Sequence, residues 1–122
     1  MNKRKSAPVT VHVQRIVVRH DFPVVFTRHL FAPRNRALRD ALTRGGGARR
    51  HRCLVLLDQG VQAAFPRLSE QIAAYFETHA KALQLVRAPL VLPGGEGIKQ
   101  SAAPVRRMLA ALRAGNICRH SF

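Results

Sequence analysis

Two apolar runs in this chain end in the same manner, and that shared ending restricts its fold more than any other feature. The run at residues 53–57, Cys-Leu-Val-Leu-Leu, passes into Asp58 and then Gly60, and the run at residues 90–92 passes into Pro93-Gly94-Gly95-Glu96-Gly97-Ile98-Lys99. A short unbroken apolar run suits a strand covered on both faces, and such strands belong to parallel sheets flanked by helices. In open α/β sheets ligands gather beyond the carboxyl ends of the strands. Asp58 and Glu96 therefore fall where a bound molecule would meet them. A carboxylate there can accept both hydroxyl protons of a ribose, and the glycines let backbone approach a ligand closely. The same residues also describe two ordinary strand-to-helix turns with solvated acids, and a motif this short does not decide between the two.

The remaining elements can be placed around these runs. Residues 1–8 read as a disordered basic tail, and residues 9–122 as one domain or part of one, with residues 116–122 heading back toward the sheet without a further apolar strand. Val9, Val11 and Val13 alternate with Thr10, His12 and Gln14 in the period of a half-buried strand; a break at residues 21–23 and a second short strand at residues 24–27 give an N-terminal β-hairpin. Leu38, Ala41 and Leu42 mark one face of a helix over residues 35–43, stopped by Gly45-Gly46-Gly47. Pro66 suits the first turn of a helix carrying Leu68, Ile72, Phe76 and His79, with His79 a favourable charge at its end. Residues 83–92 supply a further strand interrupted by Pro89. Ser101 caps a helix with Pro104 near its start, Val105, Met108, Leu109 and Leu112 as its apolar stripe, and Gly115 as its stop. Strand and helix alternate, so the expected class is α/β, a partial Rossmann-like domain with a mainly parallel sheet.

Composition narrows the function. At 122 residues and 47% apolar content the chain has the size and core material of one domain. No apolar run nears the ~20 residues that cross a bilayer, so a soluble, cytoplasmic protein without a membrane partner is expected. Cys53 and Cys118 show no CxxC spacing and read as plain thiols. The 21 basic residues against 6 acidic give a net charge of +15, which draws phosphates or nucleic acid. Yet 17 of the 21 are arginine, a bias that GC-rich coding produces by itself. The densest stretch, residues 28–52, holds eight arginines against Asp40 alone. A small basic nucleic-acid-binding module is the alternative function, without RNP aromatics, helix-turn-helix spacing or a finger signature behind it.

Of the six histidines none forms a zinc-type pair, and the chain holds no nucleophile elbow, no P-loop and no G-x-G-x-x-G. No catalytic residue and no metal ligand is assigned. The strand ending Leu56-Leu57-Asp58, the Leu92-Pro93-Gly94-Gly95-Glu96-x-x-Lys99 loop and the capped helix leading to Arg119-His120-Ser121 together resemble the N-terminal NAD-binding domain of the sugar-phosphate cyclases, the 3-dehydroquinate synthase-like lyases. The resemblance covers about residues 9–122. It implies that Asp58, Glu96 and Lys99 contact the adenosine part of NAD, with Gly60, Gly94 and Gly95 beside them, and that NAD is preferred over NADP because carboxylates disfavour a 2′-phosphate.

Where the family usually carries an Asn two residues past the Asp, this chain has Gly60. The family's pyrophosphate loop and its metal-binding and substrate-binding half have no counterpart here. The resemblance thus implies a fragment of a carbon-oxygen lyase that eliminates phosphate and closes a carbocycle, inactive alone and weak for NAD. The divalent metal and the sugar phosphate would belong to a full-length relative. Which sugar phosphate that is, and the oligomeric state, stay open.

Overall fold

The computed structural model describes residues 8–122. The expected basic tail lies outside the described residues except for Pro8, which is exposed. In chain order the elements are α1 (Ala37–Thr43), β1 (His51–Cys53), β2 (Leu56–Asp58), α2 (Gln59–Ala64), α3 (Leu68–Thr78), β3 (Leu83–Leu85), β4 (Leu90–Leu92), a 3-10 turn (Glu96–Gln100) and α4 (Ala103–Ala114). β1 pairs parallel with β3, His51 opposite Leu83, and β2 pairs parallel with β4, Leu56 opposite Leu90. Helices and small parallel sheets make this an α/β chain.

Each long strand expected from the sequence is split in two, because the segments that link the two paired registers differ in length. Leu54 and Val55 on one side face Val86, Arg87, Ala88 and Pro89 on the other, so the second chain has surplus length to absorb. Pro89 has no N–H to give the ladder. Pairing nonetheless bridges the gap: Val86 N donates to Cys53 O (3.0 Å) and Leu90 N to Val55 O (2.9 Å). On the opposite edge of β1, Phe122 N donates to Arg52 O (2.9 Å) and Leu54 N donates to Phe122 O (2.8 Å). That is the hydrogen-bond pattern of a parallel neighbour.

Side chains alternate across a strand, and the alternation divides the packing. Cys53 turns into a core of Ile72, Tyr75 and Phe76 from α3 and Leu83 from β3, with Phe31, Leu38 and Leu42 packed around it. Arg52, the next residue back, instead donates through its guanidinium to Gly115 O at the end of α4. Tyr75 ties α1 to α3: its hydroxyl accepts from Arg39 N (3.1 Å), and Phe31 meets its ring edge-on at 5.9 Å. α3 begins after Pro66 and closes on His79, whose ring lies 4.4 Å from that of Tyr75. α4 opens on Ala102, a cap without a side-chain hydrogen bond, while Ser101 Oγ one residue earlier accepts from Ala103 N (3.2 Å) and Pro104 lies in the first turn; the helix ends at Gly115, which stays in the right-handed region, and the left-handed position falls to Asn116 (φ 47°).

The N-terminal β-hairpin expected over residues 9–27 is not formed: those residues carry neither strand nor helix. Their large apolar side chains stand in the open, from 57% exposed at Val25 to 94% at Phe26. A two-stranded hairpin is marginal in water unless one face packs on something, and none of these residues reaches the core. The consequence shows in the total surface of 10456 Å². A compact chain of this mass exposes roughly 6,600 Å², so much of the apolar sequence remains uncovered.

Candidate functional site

β2 and β4 run side by side, Asp58 opposite Leu92, so the turns that follow them emerge from one end of the sheet. Asp58 is both the last residue of β2 and the cap of α2. Its Oδ1 accepts from Gly60 N (2.7 Å) and Val61 N (3.3 Å), which satisfies two of the otherwise unpaired N–H groups that open a helix. One carboxylate oxygen is thereby anchored. The other, Oδ2, has no hydrogen-bond partner among the described residues and lies over the Cα of Gly94: a Cβ at residue 94 would sit 1.9 Å from it. Only glycine tolerates that approach. Gly95 follows at φ 78°, ψ −176°, a region that L side chains avoid, and it swings the backbone into the 3-10 turn.

Asp58, Gln59, Gly60 and Ala63 from the β2–α2 junction, with Gly94 and Gly95 from the β4 turn, line one open depression of about 410 Å³. Four of the six residues singled out in the sequence, Asp58, Gly60, Gly94 and Gly95, thus meet around a single hollow. The other two stand outside its lining. Glu96 and Lys99 lie on the following turn and hold each other, with Lys99 Nζ 2.8 Å from Glu96 Oε2 and 3.0 Å from Oε1. Both are largely exposed, so their pairing contributes at most about 1 kcal/mol and leaves the carboxylate's other lone pairs in solvent. Gly60, where the resembled family carries Asn, is crowded by the same acid: a Cβ there would meet Asp58 Oδ1 at 3.0 Å. Gln59 and Ala63 were not singled out. The signal for them was the helix that Asp58 caps, too short to show an apolar period.

The arginines are arranged differently. Within residues 28–52 the one ion pair among the described residues joins Arg39 to Asp40, and the guanidinium holds that carboxyl below its usual range. Arg50 and Arg52 spend a donor each on the carbonyls of Leu83 and Gly115. Among the described residues no group of three or more His, Cys, Asp or Glu side chains is placed to hold a metal ion. No helix among them is long and apolar enough to cross a membrane. Protein-family models, curated proteins and solved structures offer no match to the chain.

Proposed function

We propose that this chain forms the adenosine-binding corner of an NAD site, as the N-terminal part of a 3-dehydroquinate synthase-like sugar-phosphate cyclase acting in the cytoplasm. The observation that carries this is Asp58 Oδ2, without a hydrogen-bond partner among the described residues, held by a capped helix at the carboxyl end of a paired strand and seated against Gly94. Its lone pairs are available to ribose hydroxyls, while Gly94 and Gly95 present bare backbone to the approaching nucleoside. Glu96 and Lys99, one turn further, would flank the same nucleoside with an acceptor and a donor. These residues bind and orient the cofactor. They supply no catalytic group, and the redox step, phosphate elimination and ring closure belong to the full-length relative, with its metal and sugar phosphate. In that setting the parallel pairs extend to a Rossmann-like sheet, and residues 9–27 take up their hairpin strands against a partner edge.

Titration calorimetry tests the proposal on this chain. NAD should bind saturably but more weakly than about 1 µM, about −8 kcal/mol, and Asp58→Ala should reduce the affinity at least tenfold. No heat at millimolar NAD, or equal binding by the variant, contradicts it. A nucleic-acid role is favoured by one observation, the absence, among the described residues, of ion-pair partners for Arg28, Arg34, Arg36, Arg44 and Arg49. It requires binding to RNA or DNA that falls steeply with salt and disappears when Arg49, Arg50 and Arg52 are replaced.

A further inference from the structure

A second concave surface lies beside the residues that lead into β1 and β3, and it shares no residue with the hollow around Asp58. It consists of three adjoining hollows of about 350, 410 and 370 Å³. The first shares Glu77 and Ala80 with the second, and the second shares Arg39, Lys81 and Ala82 with the third, so the three form one groove. Five bases line it, Arg39, Arg49, Arg50, Lys81 and Arg87, against two acids, Asp40 and Glu77.

Most of that charge is unanswered within the chain. Asp40 is taken up by Arg39, and Arg49, Arg50, Lys81 and Arg87 have no ion-pair partner among the described residues. Arg50 is held in place by its Nε, which donates to Leu83 O (3.1 Å), so its terminal amino groups are positioned without being used. Two helix ends account for part of the accumulation. Thr43 at the end of α1 and Thr78 at the end of α3 line the groove, and neither helix has a base in its last turn. Each such end carries about half a negative charge, about one unit together, whereas the bases exceed the acids by three. A cleft lined by one sign of charge concentrates ions of the other sign.

The shape of the groove selects among anions. Between Arg50 and Arg87 its floor is apolar, made of Ala73, Phe76, Ala80 and Leu85, while Arg39, Lys81 and Arg49 surround the hollows beyond. An apolar slot followed by cationic hollows matches a ligand that alternates bases with phosphates. A lipid surface is too flat to enter, and a run of acidic side chains has nothing to fill the slot. We infer that this groove binds a single strand of nucleic acid, its phosphates on Arg49, Arg50, Lys81 and Arg87 and a base over Phe76. Arg52 donates to Gly115 O at the end of α4 and stands outside the lining. The cofactor corner contributes no residue to the groove.

Fluorescence anisotropy of the full chain with a labelled 12-nucleotide oligothymidylate, from about 0.05 to 0.3 M salt, provides the test. Contacts to about three or four phosphates give an affinity that falls with salt at a log–log slope of about −2 to −3. The double variant Arg49→Gln/Lys81→Gln, altered at exposed positions, should keep its circular dichroism and thermal transition, weaken binding at least tenfold and make the slope shallower by about 1 to 1.5. Arg106→Gln/Arg107→Gln removes the same charge from exposed positions on α4 and should change the affinity less than threefold. No saturable binding at about 0.05 M salt overturns the inference. Equal losses from the two double variants do so too, because total charge would then be the whole attraction. Equal competition by polyglutamate or by phosphatidylserine vesicles puts a different partner in the groove and overturns it as well. NAD binding by the groove variant should be unchanged, so failure here leaves the cofactor site standing.

Discussion

Two stretches of this chain rich in branched aliphatic residues meet opposite ends. Residues 53–57 lie in a parallel sheet with Cys53 at 3% exposure, whereas residues 9–18, with the alternation of a half-buried strand at their start, stand in solvent with Val9 at 88%. The difference lies in partners. The first stretch has β3, β4 and α3 within reach, each brought there by a short connection; the second has a strand pattern and no surface to press it on. Apolar content measures what a segment can gain by burial, and only topology supplies the burial.

The sharpest way to break that comparison is to truncate one residue in each stretch's environment. Leu83→Ala empties a fully buried position against Cys53 and should cost about 2–5 kcal/mol, enough to erase the cooperative transition of a small domain. Val11→Ala should change the unfolding free energy read from urea titration by less than about 0.5 kcal/mol. Equal losses at the two positions would mean that residues 9–18 are packed after all.

The pH dependence of stability adds a second contrast. Burial pushes the Cys53 thiol up to about 11, while in the unfolded chain it ionises near its ordinary ~8.5. Below that value neither state is charged and the thiol has no effect. Between the two values only the unfolded chain ionises, so stability falls as pH rises, by about 2–3 kcal/mol at pH 11. Denaturant titrations at pH 8 and pH 11 should show this loss in the wild type and a smaller one in Cys53→Ala. Cys118, exposed and lowered by hydrogen bonds from the His120 backbone and the Ser121 hydroxyl, should be the thiol that native-state reagents modify at pH 8.

Smaller effects probe the turn beside β2. Gly94→Ala drives a methyl into Asp58 Oδ2 and should cost about 1–3 kcal/mol through displaced packing. Asp58→Ala removes the cap of α2 and should cost about 1 kcal/mol, with Asp58→Asn close to neutral in stability because asparagine also caps. Chemical denaturation of the three variants orders them.

The legible parts of the fold were those whose residues decide locally. Pro104 sits in the first turn of α4 and Ile72 and Phe76 mark the buried face of α3, as their chemistry dictates, whereas α4 is capped at Ala102 and its left-handed residue is Asn116, one position past each expected residue. The hairpin misled because alternation reports a strand's capacity and carries no information on its neighbours. The strand breaks at residues 54–55 and 86–89 depend on a length mismatch between two distant segments, which neither segment shows alone. At the candidate site the juxtaposition of Asp58 with the glycine turn followed from two strands ending alike. The Oδ2-to-Gly94 approach and the exposed pairing of Glu96 with Lys99 depend on turn geometry that glycine leaves undetermined.

Amide chemical-shift mapping during an NAD titration tests the central claim most directly. The expected result is a saturable shift of the Asp58, Gly60, Gly94 and Gly95 amides, with Glu96 and Lys99 following and Asp58→Ala silencing all of them. Shifts confined to residues 28–52 and abolished by salt, or none at millimolar NAD, would contradict it.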